Sequence, residues 1–166
     1  VATIRKGLAG DPDPVFVEAA QILLDEGVDE ALEYLEAKQL QTIREVDKIN
    51  SLQEDNEDEK RDLLTRLLLK ADLHSVNLEP EKALDVCKTV VEKAKGWCLA
   101  RRALAILYAQ SAEYDKAEEQ LRVALGLADD STEKAHVLND LANLFQSTNR
   151  LALAEPYYRR TLDCWE

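Results

Sequence analysis

Side chains able to do covalent or metal chemistry are few in this 166-residue chain. There are two histidines, His74 and His136, and three cysteines, Cys87, Cys98 and Cys164. Zinc needs closely spaced Cys or His pairs, and neither Cys-x-x-Cys nor His-Glu-x-x-His occurs. A phosphate cradle needs a glycine-rich loop ending in Gly-Lys-Ser/Thr, and none of Gly7, Gly10, Gly27, Gly96 or Gly126 begins one. Cys98 has Lys95, Arg101 and Arg102 nearby, cations that would lower its pKa. No base lies in the same helical stretch, so a packed thiol is the preferred reading. An odd number of cysteines in helical text suits buried thiols in a reducing compartment better than disulfides. The inventory assigns no catalytic residue, no metal and no cofactor, and the chain reads as non-enzymatic.

The elements that position the remaining polar groups are helices. Gly and Pro together number nine, roughly 5% where average usage gives about 12%. Ala, Leu, Glu, Lys and Arg dominate, which excludes a turn-rich β architecture and predicts an all-α chain. The formal charge is −12, and residues 1–60 hold 16 acids against 6 bases. No basic stripe exists to displace counterions from phosphates, so nucleic acid is excluded as a partner. No apolar run reaches the roughly 20 residues that span a bilayer, and no leader resembles a signal peptide. A cytoplasmic location without membrane contact is expected. The chain contains no Met and opens on Val1, which suggests a piece of a longer polypeptide.

Internal periodicity supplies the architecture. Ala83, Ala117 and Ala154 superpose at spacings of 34 and 37 residues, and twelve residues before them lie Ala71, Ala105 and Ala142. An aromatic or His follows each earlier alanine by three, at His74, Tyr108 and Phe145. Two antiparallel helices approach closely only where both carry small side chains, and alanines 12 apart face each other across a hairpin. Each hairpin keeps an apolar face that only the next can bury, so stacking follows.

This pattern resembles the tetratricopeptide repeat (TPR), a helix-turn-helix unit of about 34 residues. The copy Val137-Leu-Asn-Asp-Leu-Ala-Asn-Leu-Phe145 followed by Asn149-Arg-Leu-Ala-Leu-Ala-Glu-Pro-Tyr-Tyr-Arg-Arg-Thr-Leu162 is similar in wording to the kinesin-light-chain subclass of bacterial scaffold and signalling proteins. The extra residues Thr132 to Lys134 suit the longer inter-repeat loops of that subclass. The copy at 98–131 has Arg101 where an apolar residue is usual, and the copy at 64–97 has Lys70 in place of Leu. The resemblance implies a right-handed α-α superhelix of antiparallel helix pairs, a TPR solenoid, whose first helices line a concave groove. Carried over position by position, the groove residues are Thr65, Leu68, Asp72 and Ser75, then Leu99, Arg102, Ile106 and Ala109, then His136, Asn139, Asn143 and Gln146. Asn139 and Asn143 lie four apart, so both amides can grip a peptide backbone. Arg102 can meet a ligand carboxylate. The family's clamp for C-terminal carboxylates needs several bases, and only Arg102 matches. The competing view of these polar residues is a solvated surface.

The N-terminal third extends the pattern. Ala19 and Ala31 are again 12 apart, with Asp13 as N-cap, Pro14 at the first helical position and Gly27-Val28 at the turn. Leu40, Ile43, Val46, Ile49 and Leu52 then recur at threes. The row drifts about 60° per step, so the helix either packs lengthwise on the first repeat, crosses several neighbours, or leaves a partner surface exposed. Acids crowd Glu54 to Glu59 and read as a solvated break. The expected organisation is an N-terminal segment at 1–13 and a degenerate hairpin at 14–40. A helical connector with an acidic break follows at 41–60, then three repeats in 61–166 (64–97, 98–131 and a truncated 135–166). The expected role is a protein-interaction scaffold that binds a partner's peptide or helix in its groove, within a longer protein of scaffold or signalling type. The alternative is a structural segment that self-associates through the exposed terminal repeat.

Overall fold

In a computed structural model of the chain, residues 13–52 and 57–165 are described, and all their regular structure is α-helical. The expected N-terminal segment, apart from Asp13, and Glu54 and Asp55 of the acidic run lie outside the described residues. The helices are α1 (Pro14–Asp25), α2 (Val28–Leu52), α3 (Glu57–Val76), α4 (Pro80–Lys93), α5 (Cys98–Gln110), α6 (Tyr114–Leu127), α7 (Ser131–Ser147) and α8 (Leu151–Asp163). They form two compact units, α1–α4 and α5–α8.

In the first unit each helix packs on the next along the chain. Asp13 caps α1 by accepting from the backbone N–H of Val15 (2.8 Å) and Phe16 (3.3 Å), with Pro14 in the first turn. Gly27 holds φ at +121° between α1 and α2, a conformation that a side chain would strain. Phe16, Ala19, Ala31, Leu35, Leu69 and Leu73 share one buried cluster. Helix α2 runs unbroken to Leu52 and packs lengthwise on α3. Of its buried residues, Ala31, Leu35, Thr42 and Val46 recur at intervals of four and seven, the seam of an antiparallel helix pair, with Leu32 buried beside them. The row spaced at threes is not the packing stripe: Val46 is buried, whereas Leu40 is 59% exposed, because that row spirals around the helix.

The α2–α3 seam is polar along much of its length. Lys70, buried in the position where the repeat has Leu, bonds Glu36 and Gln39 of α2. One turn earlier on α3, Arg66 donates to Asp13 Oδ2 (2.7 Å) and to Thr42 Oγ1 (3.3 Å), and Lys60 reaches Asn50 (3.4 Å). The overlong α2 therefore supplies the partners that let α3 bury cations. Glu57, Asp58 and Glu59, expected in a break, belong to the first turn of α3, and the carboxylates of Asp58 and Glu59 suit a helix N-terminus.

In the second unit α5 pairs with α6, α7 pairs with α8, and α7 packs on α6 and also meets α5. Ala105, Ala117, Leu121, Leu141, Phe145 and Ala154 belong to its buried cluster. Thr132 to Lys134 lie inside α7 rather than in a longer loop. The reason is the cap: Asp130 accepts from Glu133 N (2.7 Å) while Glu133 accepts from Asp129 N (3.1 Å), which starts the helix early.

The repeat is also written in the backbone. Leu78, Ala112 and Asn149 have φ of 60°, 60° and 58°, and they follow one another at the same 34 and 37 residues as the alanines. After each, the next N–H reaches back to the aromatic position: Glu79 to His74 O (2.9 Å), Glu113 to Tyr108 O (2.8 Å), Arg150 to Phe145 O (2.7 Å). All three first helices thus end in a Schellman turn. Charged groups cover the same rings, with Lys116 over Tyr108 (5.4 Å), Arg150 over Phe145 (4.6 Å) and Glu79 on His74 Nδ1 (2.7 Å).

Candidate functional site

Within the second unit the first helices α5 and α7 leave a cleft of about 380 Å³ between them, floored partly by α6. Ala105 and Ala109 are small, which opens the space, and Ile106, 45% exposed, offers apolar surface to it. Leu121, Leu144 and the ring of Tyr114 add to the apolar lining, while Asp140, Asn143, Ser147 and Gln110 add polar groups. Arg102 Nε donates to Asp140 Oδ2 at 2.7 Å, with both side chains less than one-fifth exposed. Its guanidinium is therefore already engaged, and Asp140 is neutralised where it meets the cleft. No lysine or arginine lines the space. Such a cleft suits an apolar side chain with a peptide backbone beside it, and a bare carboxylate gains little there.

Asn143 and Gln146 meet at Tyr158 of α8, whose hydroxyl lies 2.7 Å from Asn143 Oδ1 and 2.6 Å from Gln146 Oε1. One hydroxyl has one proton, so it donates to one amide while the other amide turns its NH2 toward the phenol oxygen. The contact fixes both amides against α8 and leaves hydrogen-bonding capacity on each. Asn139, one turn earlier, is half-buried and makes no side-chain hydrogen bond among the described residues. His136 is exposed and its ring meets Trp165 edge-on at 6.0 Å. The structure thus puts Ile106 and Asn143 in one cleft with the Arg102 pair at its edge, and it places Gln146 beside Asn143 through Tyr158.

Asp72 belongs to α3 in the first unit and is half-buried. Its charge adds to burial in pushing the Cys87 thiol up to about 12. Leu68, expected on the groove, is buried. Burial also drives Cys98 up to about 11, against the lowering that its cationic neighbours suggested. Arg102 does pull that thiol down, but desolvation outweighs it. Burial thus holds both thiols above the ordinary cysteine range. No His, Cys, Asp and Glu grouping able to hold a metal occurs among the described residues, and no helix there is long and apolar enough to cross a membrane.

Sequence spacing missed several participants, among them Tyr158, Asp140, Ser147, Gln110 and Tyr114. Tyr158 had a signal, since it stands where the other copies carry Cys87 and Leu121, and a phenol at a packing position brings a polar tip that needs a partner. Arg101, the misfit of the 98–131 copy, turns its Nη1 to Gln120 of α6 at 2.7 Å.

No protein-family model matches the chain, and no curated protein matches it. Solved structures do resemble it. The crystal structure of MamA aligns over 97% of this chain and 84% of that one, with a TM-score of 0.63 and 14% identity. BtubC (BKLC) from P. vanneervenii aligns over 97% and 68%, with a TM-score of 0.69 and 15% identity. At such identities the likeness is one of fold, and it agrees with the paired helices, buried alanines and repeated turns: the chain has an all-α, TPR-type helical-repeat fold.

Proposed function

We propose that this chain is a non-catalytic protein-interaction scaffold that takes a peptide or helix of a partner protein on the first-helix face of its repeats. The observation that carries the reading is the α5–α7 cleft, with Ile106 on one wall and Asn143 on the other. Its apolar floor and amide rim suit an aliphatic side chain held by its flanking backbone. Arg102, His136, Asn139 and Gln146 are the remaining residues of the second unit assigned to that face, and Asp72 is a separate candidate on the first-helix side of the first unit. The kinesin-light-chain-like wording of the last copy favours a place in a bacterial scaffold or signalling protein, and the odd number of cysteines favours the reducing cytoplasm.

A pull-down with the wild-type chain and with the Asn139→Ala/Asn143→Ala variant tests this. Partners retained by the wild type should be lost by the variant, and an unchanged set of partners would refute the site. A second reading, self-association through the last repeat, is favoured by the exposed apolar residues of α8, Leu151, Leu153 and Leu162.

A further inference from the structure

The outer side of α8 carries apolar residues that the rest of the second unit leaves exposed among the described residues. Leu151, Glu155, Tyr158 and Leu162 recur at steps of four, three and four, so they line one side of the helix, with Tyr158 at the edge next to α7, and Trp165 follows in the turn after the helix. Leu151, Leu162 and Trp165 are 59%, 65% and 57% exposed. By the repeat spacing Leu162 matches Leu125 of α6, which packs against the core that α7 completes. A groove of about 370 Å³ runs along this stripe, lined by Gln146, Leu151, Ala154, Tyr158 and Leu162. Glu155 and Arg159 flank it, joined at 2.7 Å and 67% and 76% exposed.

We infer that this face seats the same face of a second copy of the chain, as a two-fold, antiparallel pair of α8 helices. The inference rests on the self-association reading and specifies its geometry. Charge selects the occupant. When two α8 helices run antiparallel about an axis near Tyr157, Glu155 of each lies opposite Arg159 of the other, so the exposed charges of both copies find opposite partners. The same operation brings Leu151 of each copy to within one residue of register with Leu162 of the other. A parallel arrangement would instead oppose Glu155 to Glu155 and Arg159 to Arg159. A self-complementary patch of this kind closes at two copies and leaves no free end for growth. One helix face buries an area near or below the ~1,200 Å² that marks the low end of stable interfaces, so the dimer is weak and set by concentration.

Sedimentation equilibrium of the full chain, from low micromolar to near-millimolar concentration, tests this. The expected result is a monomer–dimer equilibrium with no larger species. Trp165 fluorescence should shift with it, the other tryptophan, Trp97, being 5% exposed and so a constant background. Glu155→Arg or Arg159→Glu alone should weaken the dimer about tenfold or more, since two symmetry-related attractions become repulsions. The double variant Glu155→Arg/Arg159→Glu should recover it. Circular dichroism melts show whether each variant still folds. A monomer at every concentration overturns both the α8 pair and the self-association reading. A dimer indifferent to the charge reversals, or one that the double variant does not restore, overturns the α8 pair and leaves self-association standing through another surface. Growth beyond two copies overturns the closed two-fold arrangement.

Discussion

Breaking the Arg102–Asp140 pair probes both the stability of the second unit and the chemistry of its cleft. The two charges meet at 2.7 Å with side chains 19% and 18% exposed, so neither is solvated as in water. At an effective dielectric of about 20 two unit charges 4 Å apart attract by about 4 kcal/mol, and desolvation cancels a large part of that. Removing one partner from a fully buried pair costs about 3–5 kcal/mol, and the remaining exposure reduces this to about 2 kcal/mol here. Arg102→Met and Asp140→Ala should therefore each destabilise by about 2 kcal/mol, because each strands the other charge. The double variant, which strands neither, should cost about 2 kcal/mol rather than the sum of the singles, a coupling of about 2 kcal/mol. Urea denaturation followed by circular dichroism measures all three. Singles that simply add, with coupling below about 0.5 kcal/mol, would refute the pairing. The functional corollary is that a groove-binding peptide gains nothing from a free C-terminal carboxylate over its amide. Asp140→Asn, by releasing the guanidinium, should create that preference.

Three further outcomes follow from the same geometry. Leu78→Gly should stabilise the chain by about 0.5–1 kcal/mol in thermal or urea unfolding, because a left-handed Leu costs about 1–2 kcal/mol, more than the extra freedom of unfolded glycine; Leu78 is 87% exposed and gives up no packing. Lys70→Leu should be neutral or stabilising by about 1–2 kcal/mol, since it removes a buried ammonium and returns Glu36, 69% exposed, to water. The Lys70 hydrogen bond is the main cause holding the Glu36 carboxyl below its ordinary value. The stability it supplies is complete above the usual carboxylate range and is lost as pH falls through the depressed pKa. The Leu variant should accordingly show a shallower acid limb in a stability–pH series; an unchanged limb would contradict the pairing. Alkylation of the native chain near pH 8 should modify the half-buried Cys164 well before Cys87 and Cys98, whose buried thiols sit at about 12 and 11.

What could be read before folding was the part encoded by residue size and spacing. Ala71, Ala83, Ala105, Ala117, Ala142 and Ala154 are all buried, because close helix approach admits few other side chains, and their spacing therefore carried the fold. The turns were less legible. Left-handed backbone at Leu78 and Ala112 has no glycine or asparagine to announce it; the hairpin closure imposes it through the Schellman bonds. The seam between α2 and α3 was also hidden. Lys70 looked like a fault in the repeat until α2 brought Glu36 and Gln39 to it, and no local pattern connects residues more than thirty positions apart. At the cleft, register placed Ile106 and Asn143 on first helices, but it could not reveal that Arg102 is consumed by Asp140 or that Tyr158 steadies Asn143 and Gln146. Register fixes which helix a side chain occupies, while its partners come from packing between helices.

The most direct test of the scaffold reading is an amide NMR titration of the isotope-labelled chain with a peptide selected against it from a random display library. Shift changes should centre on Ile106, Asn139 and Asn143, and binding should be abolished in the Asn139→Ala/Asn143→Ala variant. Changes confined to other surfaces, with the variant binding as tightly as the wild type, would contradict it.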